Sequence, residues 1–328
     1  MMIVGQPAWH GLGVQVEPED ARDWRKVQTA AGLDWEVTQR PLVATQFPEG
    51  LPLEVQSHVA NVRSSDSRVL GVVGKSYQVL QNDQVFSWFA PFLEAEQATF
   101  EAAGALAEGS RIWALAKIEG AEQEVRDGDA VKGYLLLSHS HDGSLAIRVG
   151  FTPVRVVCSN TLTWAHSDEA SKLIRIRHRG DVIANLESVR ETMDVVRQGF
   201  FSTIEQYRGL ANVHIQQKDV ARYVELVLEP VRKANDEGEQ VLSTKAQNII
   251  DRIVEKATVG SELADGATPT LWDAYNGVTE WTSWERGRTQ DSRINSLWYG
   301  DSAKINARAL DVATEMAGAP ARELVVVR

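Results

Sequence analysis

The sequence predicts an α+β fold: an antiparallel β-rich first half with one crossing helix, then a mostly helical second half. Three observations carry the prediction. Residues 34 to 157 hold short runs that alternate apolar and polar, separated by turns rich in Gly, Asp and Ser. From about residue 181 the apolar residues recur instead at three- and four-residue spacing. Strand runs followed by helix runs argue against a doubly wound sheet. The boundary falls near residue 180, giving a β-rich core over 1–180 and a helical region over 181–328 packed on or beside it.

The acidic run Glu17-Pro18-Glu19-Asp20 reads as a helix start, and Gly32 as its stop. Residues 34–42, 53–62 and 68–73 read as strands, the last two joined by a turn over 63–67. After Gly74-Lys75-Ser76-Tyr77, Asn82 reads as the N-cap of a helix whose stripe is Val85, Phe86, Phe89, Phe92 and Leu93. Strands over 99–106 and 111–118 flank a turn at 107–110. Residues 119–130 read as an acidic loop. The strongest β segments are 132–138 and 145–157, with a turn between them at Asp142-Gly143. A short helix is expected from Asn160 to Ala165, and 172–179 as a basic strand or arm. Helices follow on Ile183 to Phe200, on Val220 to Leu228 before Pro230, on Ile249 to Val254, after Thr268-Pro269, and from Asp301 to Met316.

Composition narrows the function classes. The net charge of −11 argues against a polycation that coats DNA, yet leaves room for a local basic groove. The single cysteine, Cys158, excludes an internal disulfide and reads as a buried thiol. No apolar run reaches the roughly 20 residues of a membrane span, and no signal peptide is visible, so a cytoplasmic protein is expected. If the protein is phage-encoded, that cytoplasm is the host's.

Several motifs carry chemistry. His139, His141 and Asp142 could open a metal site, since alternation on a strand puts both imidazoles on one side. A third and fourth ligand are missing from the sequence pattern, so a polar hairpin is the simpler reading. Gly71-Val72-Val73-Gly74-Lys75-Ser76 resembles the end of a phosphate-binding loop but lacks its first glycine, because position 69 is Val. Arg175, Arg177 and Arg179 share one parity, so a strand would present three guanidiniums on one face. The alternative is a charged edge strand. A second cluster, Trp281, Trp284, Arg286, Arg288, Arg293, Trp298 and Tyr299, suits stacking on unpaired bases or, alternatively, a helix-capping loop whose tryptophans are buried. No complete catalytic motif is present, and no cofactor is expected.

These residues resemble a known family. Pro7 to Gly13, Ala31 to Trp35, Gly71 to Tyr77, Gln81-Asn82, Leu136 to Ser144, Thr152 to Leu162, Asn276 to Thr279 and Gly300 to Lys304 look like the phage/plasmid-like protein family built on domain of unknown function 932. The order of strands and helices is also similar to single-strand annealing proteins of the RecT, Redβ and Erf kind, an analogy of topology. The family resemblance implies a place on phages and mobile elements and little chemistry. The order of elements, the two Arg-bearing clusters and the lack of catalytic motifs lead to the expectation of a phage or plasmid protein that binds single-stranded DNA and promotes annealing without ATP, as a homo-oligomer. Arg148, Arg155, Arg175, Arg177 and Arg179 would neutralise phosphates, together with Arg286 and Arg288, while Trp284 and Trp298 would stack on bases. A protein-binding module acting on a host factor and a metal-dependent hydrolase using His139 and His141 are the alternatives.

Overall fold

A computed structural model describes residues 1–4, 14–45, 52–155, 160–161, 174–191, 193–234, 240–259 and 268–318. The chain is α+β, with strands gathered in its first half and helices in its second. The strands β1 (Met2–Val4) and β2 (Val14–Val16) precede helix α1 (Trp24–Ala30). Asp23 caps α1 by accepting the N–H groups of Arg25 and Lys26, and Gly32, at φ +69°, stands just past its end. The helix starts later than the acidic run suggests, because residues 18–22 form turns.

The strands β3 (Val37–Ala44), β4 (Leu53–Arg63) and β5 (Val69–Gly74) form a three-stranded antiparallel sheet. The next helix comes in two pieces, α2 (Asn82–Ser87) and α3 (Ala90–Glu94). Pro91 accounts for the break, since it has no N–H to give to the Ser87 carbonyl. The cap is Gln81 rather than Asn82. The Gln84 side chain reaches back to accept the Gln81 N–H at 2.8 Å. Asn82 is buried, and its amide donates to the Trp35 carbonyl at 3.0 Å.

The strands β6 (Ala98–Leu106), β7 (Arg111–Arg126), β8 (Asp129–Ser140) and β9 (Ile147–Arg155) follow one another in a larger sheet. The expected acidic loop is therefore strand. β7 turns into β8 on Asp127-Gly128, with Gly128 at φ +75°, a hairpin pair that the surrounding acidic residues obscured. Two short strands, β10 (Asn160–Thr161) and β11 (Ile174–Ile176), both pair antiparallel with β9. The sheet order is β10-β9-β8-β7-β6-β1-β2, with β11 also on β9, and β1 lies parallel to β2. The expected helix at Asn160 begins as strand; its continuation, Cys158 and the Pro7–Gly13 motif lie outside the described residues.

The second half holds α4 (Val182–Glu191), α5 (Met193–Ala211), α6 (Gln217–Leu228), the strand pair β12 (Arg232–Ala234) and β13 (Gln240–Leu242), then α7 (Thr244–Val259), α8 (Leu271–Trp284), α9 (Gln290–Tyr299) and α10 (Asp301–Met316). Helix α9 was not expected. Its signal is Thr289, which caps it by accepting the Ser292 N–H.

The chain divides into two units. The first comprises Met1–Ala121, Gly133–Phe151 and Leu173–Arg197; the second comprises Glu122–Lys132, Thr152–Lys172 and Gln198–Arg328. The division thus crosses the chain several times rather than once near residue 180. In the first unit, Phe86, Phe89 and Phe100 pack with Leu135, Leu137 and Ile147. In the second, Tyr207, Trp272 and Tyr275 lie in a core that includes Val224, Ile253 and Leu310. Gly277 lets α8 approach α7: a Cβ there would sit 2.9 Å from the Ile253 carbonyl oxygen. No described helix is long and apolar enough to cross a membrane.

Candidate functional site

Three segments separated in sequence meet in the first unit. The first follows β5. There the Tyr77 ring stacks on His178, with centroids 4.5 Å apart and planes 16° apart, and the Tyr77 hydroxyl donates to the Ser140 carbonyl. The second follows β11. His178 donates from Nδ1 to the Gln78 carbonyl at 3.0 Å, and the Gln78 N–H donates to the His178 carbonyl at 2.9 Å. The third is the β8–β9 turn. Gly143 sits at φ +76°, and the Ser144 N–H donates to Asp142 Oδ1 at 2.8 Å.

Gly71 makes the third segment fit. A Cβ on Gly71 would overlap the Asp142 backbone, so only glycine lets that turn lie on β5. Asn61, on β4, holds the turn by donating Nδ2 to the His141 carbonyl at 2.6 Å. The glycines of the run 71–76 are therefore not a phosphate-loop fragment of the usual strand–loop–helix kind. Gly71 is a close-approach residue, and Gly74 lies at the wall of a pocket.

That pocket has a volume of about 350 Å³. Ser76 and Tyr77 line it from the first segment, and Gly143 and Leu145 from the third. Arg177, His178 and Arg179 line it from the second. Burial alternates as the sequence predicts: Arg175, Arg177 and Arg179 are exposed, while Ile176 and His178 are buried. The strand itself is shorter than expected, because β11 ends at Ile176 and the chain then bends, with the Arg179 N–H donating to the Arg177 carbonyl at 2.8 Å. Arg175 stands opposite Arg148 of β9 in the register, and Arg148 is half-buried. Among the described residues, neither Arg177 nor Arg179 forms an ion pair. The Arg155 side chain lies outside the described residues.

Three imidazoles sit together next to the pocket. His139 and His141 share one side, as the alternation implies, with ring centroids 4.7 Å apart and edge to face. His139 and His178 are 5.6 Å apart. All three are buried. Burial pushes each imidazole below its usual range, His139 far below it and His141 to about 3; the neighbouring imidazoles add to the shift of His139, and His178 to that of His141. For His178 the backbone of Gln78 and Leu145 pulls the other way. The Tyr77 hydroxyl is pushed up, by burial first and by Asp142 second, so it stays a donor. Both ring nitrogens of His139, Nδ1 of His141 and Nε2 of His178 have no hydrogen-bond partner. His141 Nε2 faces Asn82 Oδ1 at 3.2 Å. Asp142 is occupied by the turn it closes, and among the described residues no group of three or more His, Cys, Asp or Glu could hold a metal ion.

The second cluster, in the other unit, is built differently. Trp298 is fully buried and Trp281 nearly so, because α8 and α9 turn those positions into the core. Trp298 therefore offers no face to a base, which corrects the stacking role expected for it. The Arg286 guanidinium donates to the hydroxyls of Ser296 and Ser302, each at 3.0 Å, and tethers the α9–α10 junction. Trp284, 37% exposed, and Arg288 remain at the surface.

Sequence reasoning singled out Arg177 and Arg179 but missed Ser76, Tyr77 and Gly143 as their neighbours. His178, between the two arginines, is buried, and its burial favours the neutral ring. A signal existed for each segment: the alternation after Lys172, the Gly-Lys-Ser-Tyr turn and the Asp-Gly pair. What was missing was their convergence.

A family model described as a domain of unknown function, DUF932, matches residues 69–298, more than half of the chain. The match contains all three pocket segments and much of the second unit. No curated protein and no solved structure matches. The chain belongs to the DUF932 family, defined by a domain whose function is unknown.

Proposed function

We propose that the protein binds single-stranded nucleic acid along the row Arg175, Arg177 and Arg179. One observation carries the reading: Arg175 on β11, and Arg177 and Arg179 in the turn that follows it, are all exposed, while Ile176 and His178 between them are buried. Charge-assisted bonds from guanidinium to phosphate position a single strand without reading its sequence. The chain's charge of −11 does not oppose this, because contact depends on clustered cations rather than on the total. The finer part of the proposal is that binding promotes annealing without ATP, from a homo-oligomer, in a phage or plasmid setting. The order of strands and helices and the absence of a catalytic motif in the sequence support annealing, and the family resemblance bears only on the phage or plasmid setting.

The test is a salt titration with a labelled oligonucleotide. Affinity should fall steeply as salt rises. Replacing Arg175, Arg177 and Arg179 together by Ala should flatten the log–log slope by about 2, since each single-strand phosphate contact contributes about 0.7. A folded protein that binds no oligonucleotide at low salt would falsify the reading.

A further inference from the structure

The arginine row ends at the pocket, and the pocket has a chemistry of its own. We infer that it is a phosphate-monoester site that takes the phosphorylated end of a nucleic-acid strand; the identity of the strand rests on the reading above. Arg177 and Arg179 both line the pocket, and no carboxylate does. The Ser76 hydroxyl adds a neutral donor on the same wall. Gly74 leaves its part of the wall open, because a Cβ there would meet nothing within 4 Å. A volume of about 350 Å³ lies at the small end of ligand sites, enough for a phosphate and the group that bears it.

The two guanidiniums separate a monoester from a diester. A diester carries one negative charge, whereas a monoester carries about −1.5 to −2 at pH 7 and three terminal oxygens. The added charge and oxygens meet Arg177 and Arg179 in charge-assisted bonds. Internal phosphates then lie along the exposed row and the terminal one enters the pocket.

The experiment compares oligonucleotides of one sequence carrying an internal label and a 5′-phosphate, a 3′-phosphate or hydroxyls at both ends. One phosphorylated form should bind about tenfold tighter than the hydroxyl form, the gain of a few charge-assisted bonds. Inorganic phosphate should compete for that gain. Gly74→Asp should abolish the preference, since the open wall accepts the side chain and the new carboxylate repels the dianion. Equal binding of all three oligonucleotides overturns the pocket inference and leaves the arginine row standing. If no oligonucleotide binds, direct titration of inorganic phosphate decides: binding lost in Gly74→Asp supports the pocket and removes the strand, and no binding removes both. Phosphate binding that Gly74→Asp leaves unchanged overturns the pocket inference.

Discussion

The two units use the same kinds of residue in opposite ways. The first exposes Arg175, Arg177 and Arg179 and buries His139, His141 and His178 neutral. The second spends Arg126, Lys256 and Arg286 on internal partners. Arg126 meets Asp273 at 2.8 Å and Asp129 at 3.4 Å, and Lys256 meets Glu280 at 2.5 Å and Glu285 at 3.1 Å. Arg286 is consumed by two serine hydroxyls. The difference follows from local geometry. On β11 and in the turn after it, Ile176 and His178 take the interior, so Arg177 between them has only the outside. Around α8 and α9, helical spacing gathers a tryptophan and an arginine at one end, and the arginine folds back onto the next helix. A cluster of Arg and Trp therefore marks a surface only where its own fold has not already satisfied it.

The largest predicted contrast is in acid. In the first unit the native imidazoles of His139, His141 and His178 stay neutral below pH 6.5, whereas the unfolded ones gain protons there. Unfolding then takes up protons, so this stabilisation is complete above pH 6.5 and is lost as pH falls. Each histidine that stays neutral in the native state adds up to about 1.4 kcal/mol per pH unit to the slope. The described part of the second unit contains no buried histidine. Hydrogen exchange read segment by segment between pH 7 and pH 5 should show β8 and β11 losing protection before α7 and α8. Equal loss in both units would mean that the imidazoles are not held neutral.

A smaller contrast separates inward cations from outward ones. Arg126 bridges two buried carboxylates, one of which also accepts Trp272 Nε1–H at 2.8 Å. Arg126→Met leaves both without their counter-charge and should cost about 3 kcal/mol, at the lower end for a broken buried pair because the guanidinium is partly exposed. Arg177→Met should change stability by no more than about 0.5 kcal/mol. Denaturant titration of both variants measures the difference. Comparable losses would mean that Arg177 is structurally engaged and not free for a ligand.

The fold class and most element types were legible because period-two and period-3.6 patterns separate the two halves cleanly. The long β7–β8 hairpin was not, because acidic residues around Asp127-Gly128 resemble a solvated loop. The split of α2 from α3 was written in Pro91 but overridden by the aromatic stripe. At the site, the parity of Arg175, Arg177 and Arg179 was legible from the sequence, since alternation is a local property. The pocket was not, because it depends on contacts such as Tyr77 with His178 and Gly71 with Asp142, about 100 and 70 residues apart. The burial of Trp298 was one of the two readings open from the sequence; helix α9, which buries it, was hidden because a short helix with one buried face reads like a basic loop.

The smallest predicted effects come from the two glycines that permit close approach, one in each unit. Gly71→Ala pushes a methyl into the Asp142 backbone, and Gly277→Ala pushes one against the Ile253 carbonyl and Ala257. Each should destabilise by about 2 kcal/mol, the usual range for overpacking. Their functional effects should differ. Displacing Asp142 moves Gly143 and so reshapes the pocket, whereas Gly277 belongs to the unit whose cations are spent internally. At temperatures where both variants remain folded, Gly71→Ala should weaken phosphate binding and Gly277→Ala should not. If Gly277→Ala weakens it as much, the second unit contributes to binding and the division between outward and inward charge does not describe function.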